Sequence, residues 1–274
     1  MIERQTLLGT ITTWFFRVLL TLFALLPIYA AFIIALTPSS HVMNLQLYPN
    51  FFEISNFKHG FTIISNGIKN SFFYSSVSTI LTLFISIPAS YVLARNNFPG
   101  KRVILFSLLF TQMIAGIVLL PSLYVIFHQM NISNSTFGVI LVMTGVNLAL
   151  VIWILYGYFQ TLPAEIEEAA MMDGCNYVQI LLKIILPLSG PGIAVGAIFV
   201  FINTYNEFVI PLFLFTTHPK YPLTMVLYSM LTDTTMRWEL IASSSLIAII
   251  PPILLFTFFQ KYIIQGLTTG AVKS

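Results

Sequence analysis

Residues 161–187 read TLPAEIEEAAMMDGCNYVQILLKIILP and form the most acidic stretch of an otherwise apolar chain. Four of the nine acidic residues of the sequence lie in this stretch, namely Glu165, Glu167, Glu168 and Asp173. Long apolar runs precede and follow it, each long enough for a helix to cross a bilayer. We therefore interpret residues 161–187, called the elbow below, as a polar connection between two membrane spans.

Local signals in the elbow predict a helix, a sharp break and a second helix. Thr161 is a candidate N-cap, and Pro163 suits the first turn of a helix whose early glutamates favour the positive end of its dipole. The pair Asp173-Gly174 predicts the break, because glycine is the usual left-handed residue after a helix.

The second helix of the elbow has start and stop signals of its own. Asn176 and Gln179 have the spacing of a capping box, and Pro187 is expected to end the helix. A short helical elbow with small residues between two membrane spans is typical of a segment that another protein binds.

The composition identifies an integral membrane protein. The 274 residues are 57% hydrophobic and 8% charged, whereas soluble domains average about 25% charged residues. The net charge is only +3 and the basic residues are scattered, so no nucleic-acid surface is predicted. Cys175 is the single cysteine, which excludes an intrachain disulfide. The first apolar run is long enough to span the bilayer and no cleavable signal peptide is evident.

Six apolar segments have about the length that a transmembrane helix needs. The predicted fold is therefore all-α, a single-domain polytopic membrane bundle over residues 1–274 with a cytoplasmic helical elbow. Prolines inside several segments indicate kinked helices around a pathway, or reflect only the higher proline content of membrane helices. The predicted spans are residues 14–36, 72–94, 103–127, 138–159, 188–210 and 240–259.

The basic residues predict the orientation of the chain. With both termini in the cytoplasm, eight of the twelve lysines and arginines fall on the cytoplasmic side, and residues 95–102 hold three of them. This topology places the elbow in the cytoplasm and two larger loops, residues 37–71 and 211–239, outside. The second loop contains an apolar stretch, residues 225–231, that is too short to span. We expect it either to pack against the bundle or to contact an external partner.

Signals for catalysis are absent from the sequence. No GxxxxGK[ST] segment is present to hold a nucleotide phosphate, and no HExxH or cysteine pairing indicates a metal site. The four histidines are far apart in the chain and no Ser, His and Asp set has a local signature. We therefore predict a chain that is not an enzyme and binds no metal or cofactor.

One polar group lies near the end of the fifth predicted span. Asn203, Asn206 and Glu207 follow the i, i+3, i+4 spacing that places side chains on one helical face. Polar and ionisable residues in membrane spans often line a transport pathway, which makes these residues candidates for contact with a solute. The alternative is that Glu207 is shallow and only hydrogen-bonds a neighbouring helix or loop.

The elbow resembles the EAA loop of ABC-transporter permease subunits. The triplet Glu168-Ala169-Ala170, the pair Asp173-Gly174 and the closing pair Leu186-Pro187 carry this resemblance, with Cys175 where the family most often has alanine. The rest of the chain is similar to the carbohydrate-uptake branch of the family, as in the smaller permease of the maltose transporter. The matching segments are residues 153–159, 162–163, 205–208, 211–212, 260–262 and 266–273.

The resemblance implies a permease of the bacterial inner membrane that imports a sugar, a disaccharide or an oligosaccharide. Its implied partners are a second, homologous permease in a heterodimer, two ATPase subunits that bind ATP-Mg and hydrolyse ATP, and an extracytoplasmic solute-binding protein. The elbow is then the coupling helix that seats in a cleft of one ATPase subunit. The implied coupling residues are Glu168, Ala169, Ala170, Asp173, Gly174, Leu186 and Pro187.

Two further roles are implied by likeness to the family. The loop of residues 211–239 is expected to reach toward the solute-binding protein. The C-terminal tail is expected to contact the ATPase pair through Gln260, Gly266, Leu267 and Gly270.

Three alternatives stay open at this point. A permease of the same class could carry glycerol phosphate, a polyamine or an amino acid. A secondary transporter or channel would also show six spans, but has no reason to keep an EAA-like elbow and needs more buried ionisable groups than Glu207. The elbow could also be a helix that only lies on the membrane surface, although such helices usually carry more basic residues.

Overall fold

The fold is described from a computed structural model of the chain. The structure describes the backbone of residues 7–44, 48, 50–114, 116–130 and 132–271, and side chains from residue 12 to residue 261 within those ranges. Every regular element in these residues is helical, which confirms the predicted all-α membrane fold. In chain order the helices are α1 Leu7–Leu36, α2 Ser55–Arg95, α3 Lys101–Met113, α4 Gly116–Gln129, α5 Thr136–Phe159, α6 Glu165–Met172, α7 Tyr177–Ile180, α8 Leu186–Leu188, α9 Gly190–Tyr205, α10 Val209–Leu214, α11 Leu223–Leu231, α12 Trp238–Ala248 and α13 Ile250–Ala271.

The predicted spans correspond to helices of the structure. Within the described ranges, four helical stretches are long and apolar enough to cross a membrane by themselves: Thr12–Leu36, Ser55–Arg95, Thr136–Phe159 and Trp238–Lys261. Two bent pairs bring the number to six if each pair forms one span. The helix α2 has 41 residues, about 60 Å, so it is longer than a bilayer core is thick. It therefore begins well before the predicted start at residue 72.

The third predicted span is bent, and a second bend lies at the start of the fifth. The helices α3 and α4 meet at 93°, and the stretch Tyr177–Leu188 meets α9 at 80°. The first of these bends lies before Pro121, so that proline does not cause it. The second bend lies at Ser189, between α8 and α9.

Contacts within the described chain separate two compact units. The first comprises residues 1–65 and 227–250, in which α1 packs against α12. The buried Asn56 amide donates to the carbonyls of Ala35 (3.0 Å) and Thr37 (3.1 Å), and the Ser243 hydroxyl donates to the Asn56 carbonyl (3.0 Å). These bonds satisfy polar groups that would be costly to bury unpaired.

The second unit comprises residues 66–226 and 251–274 and holds two buried apolar clusters. One cluster joins Tyr74 and Val139 to Leu214 and Met225. The other lies beside the elbow and joins Tyr91 of α2 and Phe159 of α5 to the elbow residues Ala170, Ile180 and Ile185.

Part of the second predicted outside loop packs on α2 within the second unit. The Asn70 amide donates to the carbonyls of Pro219 (2.9 Å) and Tyr221 (3.0 Å), and the Tyr74 hydroxyl donates to the Lys220 carbonyl (2.9 Å). Met225 of the short apolar stretch is buried. The structure thus supports the packing alternative for the start of this stretch.

Candidate functional site

The first helix of the elbow starts later than its sequence signals predict. The helix α6 begins at Glu165 with Ala164 at the N-cap and no capping side chain. The prediction of Thr161 as the cap was wrong, because its hydroxyl donates to the Tyr158 carbonyl (2.7 Å) and so closes α5. Pro163 accordingly lies before the helix and not in its first turn.

The predicted break of the elbow is confirmed. Asp173 is the C-cap of α6, and Gly174 has φ of 81°, in the left-handed region. The amide of Gly174 donates to the Met171 carbonyl and that of Cys175 to the Ala170 carbonyl, both at 3.0 Å. These bonds satisfy carbonyls that the end of a helix leaves free.

The second arm of the elbow begins with the predicted capping box. The Asn176 side chain accepts from the Gln179 amide (2.9 Å), and the Gln179 side chain accepts from the Asn176 amide (3.0 Å). A π turn, Leu181–Ile185, follows α7 and leads into α8, which contains Pro187. The expectation that Pro187 ends this arm is off by one residue, since α8 continues to Leu188.

One face of α6 is buried against the chain itself. Glu167 and Ala170, three residues apart and so on one helical face, are 5% and 6% exposed. Ala170 is therefore part of the chain's own core, next to Phe159 and Ile180. Among the predicted coupling residues it is the one whose side chain faces inward.

The buried Glu167 carboxylate is paired with two residues of α2. Its Oε1 lies 2.6 Å from Nε of Arg95, and the Tyr91 hydroxyl donates to its Oε2 at 2.8 Å. Arg95 also donates through Nη2 to the Leu162 carbonyl (3.0 Å), just before α6. This contact was not predicted, although Tyr91 and Arg95 are spaced i, i+4 at the end of a span.

The other face of the elbow is open. Glu168, Ala169, Met172, Asp173 and Gly174 are all exposed, and we call them the elbow surface. Met172 is 89% exposed, and the side chains of Glu168 and Asp173 make no hydrogen bond or ion pair within the described chain. Exposed apolar and unpaired acidic groups together are typical of a surface that a partner covers.

The remaining coupling candidates lie at the end of the second arm of the elbow. Leu186 is half-buried and Pro187 is exposed. Tyr177 and Val178 on the second arm are 69% and 64% exposed, which extends the open apolar area. Neither residue was among the predicted coupling residues.

The three polar residues at the end of the fifth span do not share a helical face. The helix α9 ends at Tyr205, so Asn206 is its C-cap and Glu207 lies beyond it. The Glu207 carboxylate accepts from the amides of Val209 (2.8 Å) and Ile210 (3.1 Å) at the start of α10. This bonding favours the alternative in which Glu207 serves a neighbouring loop.

Asn203 lies in a small polar network. Its amide donates to the Asn147 side chain (2.8 Å), which in turn donates to the Met143 carbonyl (2.7 Å). A cavity of about 10 Å³, room for about one water molecule, lies between Asn147, Asn203 and Glu207. Asn203 and Asn206 are exposed. Asn147 is buried in the middle of the apolar helix α5 and was not predicted as a site residue, although a lone asparagine in a membrane span is itself a signal.

The remaining expectations concern metals and the tail. No cluster of histidine, cysteine or acidic side chains that could hold a metal ion occurs among the residues that the structure describes. Gln260 is exposed on α13. Gly266, Leu267 and Gly270 lie on α13 beyond residue 261, outside the residues whose burial the structure describes.

Comparisons with known proteins agree with these features. The family described as binding-protein-dependent transport system inner membrane component matches residues 86–269. The trehalose transport system permease protein SugB of Mycobacterium tuberculosis (strain CDC 1551 / Oshkosh) is 31% identical, over 92% of this chain and 93% of SugB. The arabinooligosaccharides transport system permease protein AraQ of Bacillus subtilis (strain 168) is 31% identical over 94% of both chains.

A solved structure has the same fold. It is a chain of a bacterial ABC transporter involved in the import of the acidic polysaccharide alginate. The TM-score is 0.82 with 23% sequence identity, over 96% of this chain and 99% of that one.

Proposed function

Because the chain belongs to the family of binding-protein-dependent transport system inner membrane components, we propose that it is a permease subunit whose elbow couples an ATPase to carbohydrate import. The family makes it a multi-pass inner membrane protein and a permease component of an ABC importer. It also implies ATPase and binding-protein partners. We further propose a heterodimer with a second permease, ATP hydrolysis on separate subunits and both termini in the cytoplasm.

The observation that carries the coupling proposal is the two-sided construction of α6. Its inner face is fixed to the chain's own core through Glu167 and Ala170. Glu168 and Met172 on its outer face are exposed. A helix held in this way transmits the movement of a partner to the membrane helices instead of yielding to it. Rigid-body motion of packed helices is a general way to drive alternating access.

The relatives support a carbohydrate as the solute. SugB and AraQ are named as permeases for trehalose and for arabinooligosaccharides. In this chain, Asn203 and Asn206 expose amide groups that can both donate to and accept from sugar hydroxyls. We propose that these two residues border the pathway, with Glu207 holding the adjacent turn in place.

Two peripheral contacts complete the proposal. The segment 211–239 is proposed to face the solute-binding protein, and the exposed Gln260 on α13 to begin the part of the tail, including Gly266, Leu267 and Gly270, that reaches the ATPase pair. Both assignments follow from likeness to the family.

Reconstituted transport tests the solute and the source of energy. We expect proteoliposomes with the whole transporter and its solute-binding protein to transport a disaccharide or oligosaccharide only when ATP is present on the side of the membrane that the ATPase subunits face. Radiolabelled uptake with maltose, trehalose and arabinooligosaccharides measures this, against glycerol phosphate, a polyamine and an amino acid. Uptake driven by an ion gradient without ATP would contradict the proposal, and uptake of a non-sugar solute alone would overturn the choice of carbohydrate.

Two substitutions at Gly174 separate backbone strain from partner contact. A Cβ at this position would meet nothing within 4 Å in the chain, so only φ constrains it. Asparagine tolerates the left-handed region, whereas a β-branched valine there costs about 1–2 kcal/mol. We expect Gly174→Val to lower the thermal stability of the isolated subunit and Gly174→Asn to leave it nearly unchanged.

In the complete transporter both Gly174 variants should lose transport. A side chain on the elbow surface prevents close approach of the ATPase, so we expect uptake by Gly174→Asn to fall by about tenfold. Fluorescence-monitored unfolding and sugar uptake measure the two effects. Normal uptake by Gly174→Asn would show that no partner lies close to this turn.

A further inference from the structure

The ion pair between Arg95 and Glu167 connects the elbow to the second membrane span. We propose that these two residues and Tyr91, called the elbow clamp below, are positioning residues that carry movement of α6 into α2. This inference rests on the proposed coupling function of the elbow. It adds to that function a defined route by which a push on the elbow reaches the bundle.

The chemistry of the elbow clamp suits a directional connection. A carboxylate that is 5% exposed is costly unless its charge is paired and its oxygens are hydrogen-bonded. Both Glu167 oxygens are occupied, one by Arg95 and one by Tyr91. Hydrogen bonds are directional, so they resist sliding of α6 along the end of α2. The apolar contact of Ala170 beside them is not directional and resists such sliding less.

The position of the elbow clamp in the chain makes it the link at the start of the elbow. The guanidinium of Arg95 bonds Glu167 inside α6 and also the carbonyl of Leu162 before it. It therefore holds the helix and its leading segment together against the last turn of α2. Because Arg95 is the last residue of α2, displacement of its guanidinium moves the end of the second span.

A purely structural role is the competing interpretation. In that case the elbow clamp only keeps α6 folded, and its loss lowers the amount of folded protein or the docking of the ATPase. A positioning role predicts a different result. The ATPase still docks on the elbow surface and still hydrolyses ATP, but the number of sugar molecules transported per ATP falls.

The experiment uses the complete transporter in nanodiscs and proteoliposomes. The variants are Glu167→Gln, Arg95→Met and the exchanged pair Arg95→Glu with Glu167→Arg. Lys101→Met is the matched control, since it removes a positive charge six residues from Arg95, and Lys101 contacts Asn97 and the Tyr156 ring instead of the elbow. Three quantities are measured: retention of the ATPase subunits on purification, ATP turnover, and sugar uptake per ATP.

We expect Glu167→Gln and Arg95→Met to retain the ATPase and to lower uptake per ATP by about tenfold. The exchanged pair should recover at least half of the coupling, and Lys101→Met should match the unmodified transporter. If a single variant does not accumulate, the exchanged pair decides: recovery of both accumulation and coupling supports the inference. Recovery of accumulation without coupling, or recovery of neither, counts against it.

The design separates failure of the elbow clamp from failure of the proposed function. Glu168→Lys on the elbow surface serves as the reference. If Glu168→Lys abolishes uptake while Arg95→Met and Glu167→Gln keep normal uptake per ATP, the elbow couples the ATPase but the elbow clamp is not its route. If none of these variants changes uptake, the coupling function of the elbow is itself wrong.

Discussion

Uptake by a transporter that carries Glu168→Lys is expected to fall by about 100-fold or more. We propose that Glu168 meets a basic group of the ATPase, and like charges brought together at an interface cost several kcal/mol. Glu168 is exposed on α6, and its side chain has no partner within the described chain. Its exchange therefore leaves the interior of the subunit intact. The effect is expected on docking of the ATPase, with the isolated subunit as stable as before.

The measurement combines co-purification of the ATPase subunits with sugar uptake. Glu53→Lys is the matched control, since it makes the same charge change at an exposed residue outside the elbow. Uptake by the Glu168→Gln transporter should lie between the values for Glu168→Lys and Glu53→Lys, since this change removes the negative charge without adding a positive one. Retention of the ATPase and normal uptake in Glu168→Lys would show that α6 is not the docking helix.

Introducing a large side chain at Gly192 is expected to prevent correct folding of the second unit. A Cβ at this position would lie 2.5 Å from Cγ of the Tyr158 ring, closer than real Cβ contacts. Gly192 is buried near the start of α9, where the chain turns by 80° after the elbow. Leucine there forces the end of α5 and the start of α9 apart, at a cost of about 3 kcal/mol or more.

The expected result for Gly192→Leu is a loss of about tenfold in monodisperse protein extracted from the membrane. Gly157→Leu is the control, because it adds the same side chain next to Tyr158 at a position where a Cβ meets nothing within 4 Å. Adding Tyr158→Ala to Gly192→Leu removes the ring and should restore part of the yield. Equal yields for Gly192→Leu and Gly157→Leu would contradict the packing described here.

Signals that act over a few residues were predictable from the sequence. Gly174 is left-handed and Asn176 and Gln179 form a capping box, both as predicted. The hydrogen bonds that stabilise the two features join residues only three to five positions apart. The start of α6 was predicted incorrectly because the Thr161 hydroxyl can bond either the end of α5 or the start of α6. In the structure it donates to the Tyr158 carbonyl of α5. A short-range rule identifies a capping residue but does not choose between two helix ends that compete for it.

The polar residues near the end of α9 were also predicted incorrectly, because the prediction assumed that the helix continues. Spacing alone placed Glu207 with Asn203 on one face, but the helix ends before Glu207 is reached. The backbone amides of α10 then bind its carboxylate. Helix ends are the least certain feature of sequence reasoning, and a pattern that crosses such an end loses its meaning.

The membrane class and the break in the elbow follow from the amino-acid sequence, because apolar length and helix caps are properties of short segments. Which face of the elbow is buried does not follow from it. Glu167 and Glu168 are neighbours of the same residue type, yet one is paired with Arg95, 72 residues earlier, and the other is open. That difference arises when the end of α2 folds against α6, and it depends on contacts between segments that no local pattern describes.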